Sequence, residues 1–139
     1  MPDTPLSDAT TLVSGNDVRC LRYREYTILE AREGSDVGSA LVTILPAGST
    51  CEPGKVRTAP LRGFDFMSVA GAAGRFLLLY WPDGANGATR FSIFDARTHK
   101  KIFSDNIRGG PDDFARFEPA TDGRSLNLSY ARVVAAPCS

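Results

Sequence analysis

Arg75-Phe-Leu-Leu-Leu-Tyr-Trp81, Pro82-Asp-Gly-Ala-Asn-Gly-Ala88, Thr89-Arg-Phe-Ser-Ile-Phe-Asp95, Ala96-Arg-Thr-His-Lys100 and Lys101-Ile-Phe-Ser104 follow one another without interruption and decide the fold of this chain. A continuous apolar run, a Gly-rich turn, an alternating run, a tight turn and a short third run spell a three-stranded antiparallel meander. The first strand is expected to be buried on both faces. The second alternates Phe91, Ile93 and Asp95 against Arg90, Ser92 and Phe94, so one face should meet a core and the other stay partly wet.

The same signature runs outward in both directions, because short apolar runs bounded by Gly, Pro, Asp and Asn recur and helical periodicity is scarce. The expected strands are 20–31, 38–45, 55–59, 64–69, 75–81, 89–95, 101–104, 113–117 and 125–134. Two offsets suggest a repeat. Tyr26 to Ala31 and Leu41 to Ile44 fall on Phe76 to Trp81 and Phe91 to Phe94 at 50 residues, and Gly74-Arg75-x-Leu77-x-Leu79 returns as Gly123-Arg124-x-Leu126-x-Leu128 at 49. A β-propeller blade takes roughly 40 to 50 residues. The chain is therefore too short for a closed propeller and is expected to be all-β, built of antiparallel meanders as an incomplete β-propeller-like stack or a distorted sandwich. The alternative is that any two meanders with turns of similar length align.

At 139 residues one domain is expected. We read residues 1–17 as a flexible N-terminal segment and 18–139 as a single β domain. Sixteen basic residues cancel sixteen acidic ones, so the field that draws a protein to phosphate backbones or anionic lipid is missing, and no nucleic-acid partner is expected. No run approaches the ~20 apolar residues of a membrane span, and none is expected. Met1 to Gly15 lacks a signal-peptide profile, but Pro2 to Asn16 resembles the tether that follows a cleavage site.

Cys20, Cys51 and Cys138 lack the spacing of a zinc or redox site, and with one histidine in the chain neither metal nor cofactor is expected. We expect one bridge involving Cys138 with one thiol left over, in a small exported β-domain; three buried reduced thiols are the alternative. His99 sits in a hairpin turn where D-x-x-T-G-K sequences carry glycine, and a left-handed turn role accounts for it without catalysis. Most carboxylates stand at strand ends or beside glycine, where Asp bonds the local backbone. Gly71-Ala-Ala-Gly74 and Gly109-Gly110-Pro111 read as turns.

Two surfaces suit a protein partner. Arg22, Arg24 and Tyr26 fall on one face of the first strand, a composition that interfaces favour; arginine stems covering a tyrosine are the alternative. The second is the turn from Trp81 to Arg90, longer than a hairpin needs, with Asp83 and Asn86 in it.

An early cysteine entering a strand (Cys20), a second in a turn before the meander (Cys51), the segment from Gly74 to Ile102 and the ending Ala136-Pro-Cys138 together resemble the periplasmic immunity proteins that protect bacteria from type VI-secreted peptidoglycan amidases. The resemblance implies a propeller-like, non-catalytic periplasmic protein, its signal peptide removed, that inserts a meander loop into the groove of a secreted hydrolase or toxin. The corresponding loop is Pro82 to Thr89. It departs from the family pattern, because Gly84-Ala-Asn-Gly-Ala88 replaces a serine-rich tip, so the target or the blocking contact must differ. Two other functions stand beside it: a cell-envelope component docking by a strand edge, and a small hydrolase built on converging carboxylates.

Overall fold

The structure, a computed structural model, describes residues 5–13, 16–32, 41–57, 60–64, 67–81 and 88–132. It is all-β and antiparallel, with no α-helix among the described residues. The first sheet contains β1 (Ser7–Val13), β2 (Asn16–Arg22), β3 (Tyr26–Arg32) and β4 (Leu41–Pro46), paired in that order. The second contains β5 (Ser68–Ala73), β6 (Phe76–Tyr80), β7 (Ala88–Asp95) and β8 (Lys100–Arg108), again in chain order. A two-stranded layer follows, β9 (Arg116–Pro119) and β10 (Leu126–Ser129).

Side-chain alternation makes a distorted sandwich of these sheets. Tyr26 and Ile28 of β3 and Val42 and Ile44 of β4 meet Leu77, Leu79 and Phe94 of the second sheet in a central core. The opposite face of the second sheet, Phe76, Leu78, Phe91, Ile93 and Ile107, packs on Phe117 of β9, with Leu126 and Leu128 of β10 against it. The outer face of the first sheet, Val18, Cys20, Leu29 and Ala31, is covered by a coil carrying Cys51 and Val56. The buried carboxylate of Glu30 ties the sheets together, accepting from the Val69 N–H at 2.5 Å beside a register shift between Val69 and Gly71.

The meander stands where the sequence puts it, and Phe76 to Leu79 are buried on both faces. The wet face expected on β7 narrows to its first residues: Arg90 is exposed, but Ser92 and Phe94 are buried because the first sheet packs over them. The run 20–31 is two strands, broken at Tyr23, whose N–H bonds the Tyr26 carbonyl at 2.9 Å. The segment expected to be a tether carries β1, paired with β2 from Ser7↔Arg22 to Val13↔Asn16. Of the strand expected at 55–59, residues 55–57 lie instead in a 3-10 turn at Pro53–Arg57, where proline suits a helical start, and residues 58 and 59 lie outside the described residues. Gly71 lies inside β5, and only Gly74 of that cluster turns, at φ 57°.

The two repeat offsets fare differently. At 49 residues Gly74 meets Gly123, both left-handed (φ 57° and 69°), joining β5 to β6 and β9 to β10. At 50 residues the third strand of one sheet falls on the second strand of the next, so that match is out of phase. The bridge expected through Cys138 is replaced by Cys20–Cys51, with Cα atoms 5.8 Å apart. Cys138 lies outside the described residues and has neither of these thiols to pair with.

Candidate functional site

The strands of the second sheet have two rims of turns, and the residues singled out from sequence divide between them. At one rim the β5–β6 turn meets the β2–β3 turn: the Tyr26 hydroxyl donates to the Gly74 carbonyl at 2.6 Å, and Arg97 reaches Glu25 at 3.9 Å. Trp81 and Arg90 mark the opposite rim, roughly 20 Å away at about 3.3 Å per residue along β6.

Of the first set only Arg24 is exposed. Tyr26 is buried in the central core. Arg22 is at the end of β2 and donates to the Ser49 carbonyl at 3.1 Å. The turn between them sends one side chain to each side of the sheet, so they share no face. Arg22 helps hold the coil over the first sheet, together with the Thr43 hydroxyl, which donates to the Val56 carbonyl, and the disulfide.

The same rim carries an open cleft of about 700 Å³. Apolar Ile44, Leu45, Pro46 and Ala96 line it together with Tyr26, Glu25, Arg97 and His99. His99 has φ 62°, the single left-handed non-glycine among the described residues, and its N–H bonds the Asp95 carbonyl at 2.7 Å. Asp95 builds that turn. It accepts from Arg97 N–H at 2.8 Å and from both Nε and Nη2 of Arg75, the former at 3.1 Å. Burial pulls its carboxyl upward, but the Arg75 hydrogen bond and the Arg97 N–H outweigh that and hold it below the usual carboxylate range.

Other carboxylates are likewise committed locally. Asp113 accepts from Gly110 N–H at 2.7 Å, and Asp122 from the N–H groups of Arg124 and Ser125 at 2.8 and 3.0 Å. Asp105 accepts from the Tyr130 hydroxyl and from Arg132 Nε, the latter at 3.1 Å. The Tyr130 bond, working against burial, holds Asp105 below its ordinary range. Burial and the same bond push Tyr130 up to about 12. Among the described residues no three His, Cys, Asp or Glu side chains gather as a metal site would need.

At the Trp81 rim, half-buried Trp81 packs on the central core, and its N–H bonds the Arg90 carbonyl at 2.8 Å. Trp81 thereby anchors its end of the β6–β7 connection to the core, and the backbone bond joins it to the start of β7. Asp83 and Asn86 lie outside the described residues. Sequence reasoning missed the outer edge of β8, where Ile102 and Phe103 are 49% and 41% exposed. The apolar pair between Lys101 and Ser104 was legible, but its exposure depends on which strand ends the sheet. Near Ile107 this edge is covered, because Arg108 N–H bonds the Ala131 carbonyl at 2.7 Å.

Fold and rims together define a small antiparallel all-β stack with a disulfide. Such a bond forms and persists in oxidising, extracytoplasmic surroundings. No helix among the described residues is long and apolar enough to cross a membrane. Compared with known proteins, the chain matches no family model, no curated protein and no solved structure.

Proposed function

We propose that this protein is a periplasmic, non-catalytic binding domain of the immunity or inhibitor type, which blocks a secreted cell-wall hydrolase with the segment joining β6 and β7. The observation that carries this reading is the neck at Trp81 and Arg90. A connection with one foot, Trp81, packed on the core and its two feet bonded to each other loses less freedom when it docks, which favours affinity. Trp and Arg are also the residue types that most often anchor an interface. The disulfide supports export, and the commitment of Asp95, Asp105, Asp113 and Asp122 to local bonds supports binding rather than chemistry.

The experiment is to capture partners from an envelope extract of the source organism and to assay any recovered hydrolase with and without the domain. Stoichiometric silencing, relieved by Asn86→Arg, is the expected result. A recovered hydrolase that stays fully active in the complex, or recovery of no hydrolase, refutes the proposal. A second reading, an envelope component that docks by strand edge, is favoured by the exposed Ile102 and Phe103 on β8. Under it, capture survives Asn86→Arg unchanged.

A further inference from the structure

The face that β7 and β8 turn toward the first sheet extends beyond the area that sheet covers. The register pairs Ala88 with Arg108, Arg90 with Asn106 and Ser92 with Ser104, so Arg90, Ser104, Asn106 and Arg108 share one face. The register shift after Ile93 then pairs Phe94 with Lys101 and brings Lys101 to the same face. Arg90, Lys101, Ser104 and Arg108 are exposed, and Asn106 is half-buried. Arg90 and Arg108 are diagonal neighbours, roughly 7 Å apart.

This ledge carries cations and hydrogen-bonding side chains, with no acidic residue at any of its register positions. Asp105 borders a depression of about 260 Å³ beside Arg90 and Asn106. Its side chain belongs to the opposite face, where Tyr130 and Arg132 hold it. Among the described residues neither Arg90 nor Arg108 has an ion-pair partner, although the chain as a whole carries sixteen basic and sixteen acidic residues.

We infer that this β7–β8 ledge receives an acidic segment of the partner protein, with carboxylates of that segment on Arg90 and Arg108 and its polar groups on Ser104 and Asn106. The inference rests on the binding role proposed above and adds to it the chemistry of the surface that is bound. Two planar guanidinium groups on one rigid sheet match carboxylates in paired geometry. The ledge begins at Arg90, at the foot of the β6–β7 connection, so a partner engaged by that connection lies against it.

The test uses the full chain and a synthetic peptide of alternating Glu and Val, with an alternating Lys and Val peptide as control. Amide shifts are followed by NMR in the wild type, in Arg90→Glu/Arg108→Glu and in Arg124→Glu, an exposed charge on the β9–β10 turn. Expected are shifts confined to β7 and β8, at least about tenfold weaker binding in the double variant, and no change in Arg124→Glu. Circular dichroism verifies that the double variant keeps its fold. Absent binding, binding equal to that of the Lys peptide, binding retained by the double variant, or salt-sensitive self-association through this face would overturn the inference. The two proposals fail separately: a hydrolase silenced equally by wild type and double variant removes the ledge and leaves the inhibitor, whereas peptide binding without any silenced hydrolase does the reverse.

Discussion

On the outer side of β1–β4 lies a coil that meets the sheet, among the described residues, in the isolated bridge Thr43↔Pro60 and is tied down by Cys20–Cys51, by Arg22 on the Ser49 carbonyl and by Thr43 on the Val56 carbonyl. On the far side of β5–β8 lies a regular hairpin with no covalent tie to it among the described residues. It is held by Phe117 and by rings of Phe91, Phe114 and Tyr130, whose centroids are 5.0 to 5.6 Å apart, with Tyr130 also bonded to Asp105. The hairpin turns Arg116, Glu118, Asn127 and Ser129 to solvent, so it can end the stack by itself. The coil meets the sheet in an isolated bridge rather than a ladder, and a cross-link supplements it. A stack of meanders can thus be finished by pattern or by covalent chemistry, depending on what the terminal segment has to bury.

The largest effect should come at the hairpin. Phe117→Ala removes its one fully buried side chain and is expected to cost about 3–5 kcal/mol. Hydrogen exchange should rise first in β9 and β10, and equal acceleration in β1 to β4 would erase the contrast between the two closures. Next comes Cys20→Ala/Cys51→Ala. Opening a link across a separation of 31 residues should cost about 3–4 kcal/mol in urea unfolding, with the exchange increase centred on β2 and the coil. A loss well under 1 kcal/mol would mean that the coil closes its face without the bond.

The smallest effect, and the sharpest in pH, is expected from Tyr130→Phe, about 1 kcal/mol. Asp105 is held below its ordinary value of 3.8, so its share of stability is complete above that pH and is lost as pH falls below it. Tyr130 is raised from 10.0 to about 12, so its share is complete below pH 10 and is lost as pH rises through 12. The difference between wild type and variant should therefore form a plateau that falls off at both limits. A difference independent of pH would show that the hydroxyl contributes by packing alone.

The centre of this architecture was legible in the sequence and its margins were not. Phe76 to Leu79 and Phe91 to Asp95 are buried by layers on both sides, so their apolar content announces them. The Tyr23-Arg24-Glu25-Tyr26 reversal uses none of Gly, Pro, Asn or Asp and needs no left-handed residue among them, and so it read as unbroken strand. Gly71 read as a turn because glycine is a weak strand former, yet it sits at the irregularity beside Val69. Among the candidate site residues, Arg90 and Trp81 were visible as the flanks of a long connection. The ledge was not, because a one-residue shift after Ile93 decides which face Lys101 takes, and nothing local records that shift. Tyr26 failed as a surface candidate for a related reason: its partner, Gly74, stands 48 residues away.

The Glu30 carboxylate, accepting from Val69 N–H across 39 residues, bears on the order in which the molecule assembles. Within each sheet, every strand pairs with its neighbour in sequence, so the meanders can zip from short loops at little entropic cost. Bringing β3 against β5 closes a much longer loop, and only at that moment must Glu30 leave water. Docking of preformed sheets is therefore the step at which slow refolding is expected to concentrate, with the carboxylate as its checkpoint.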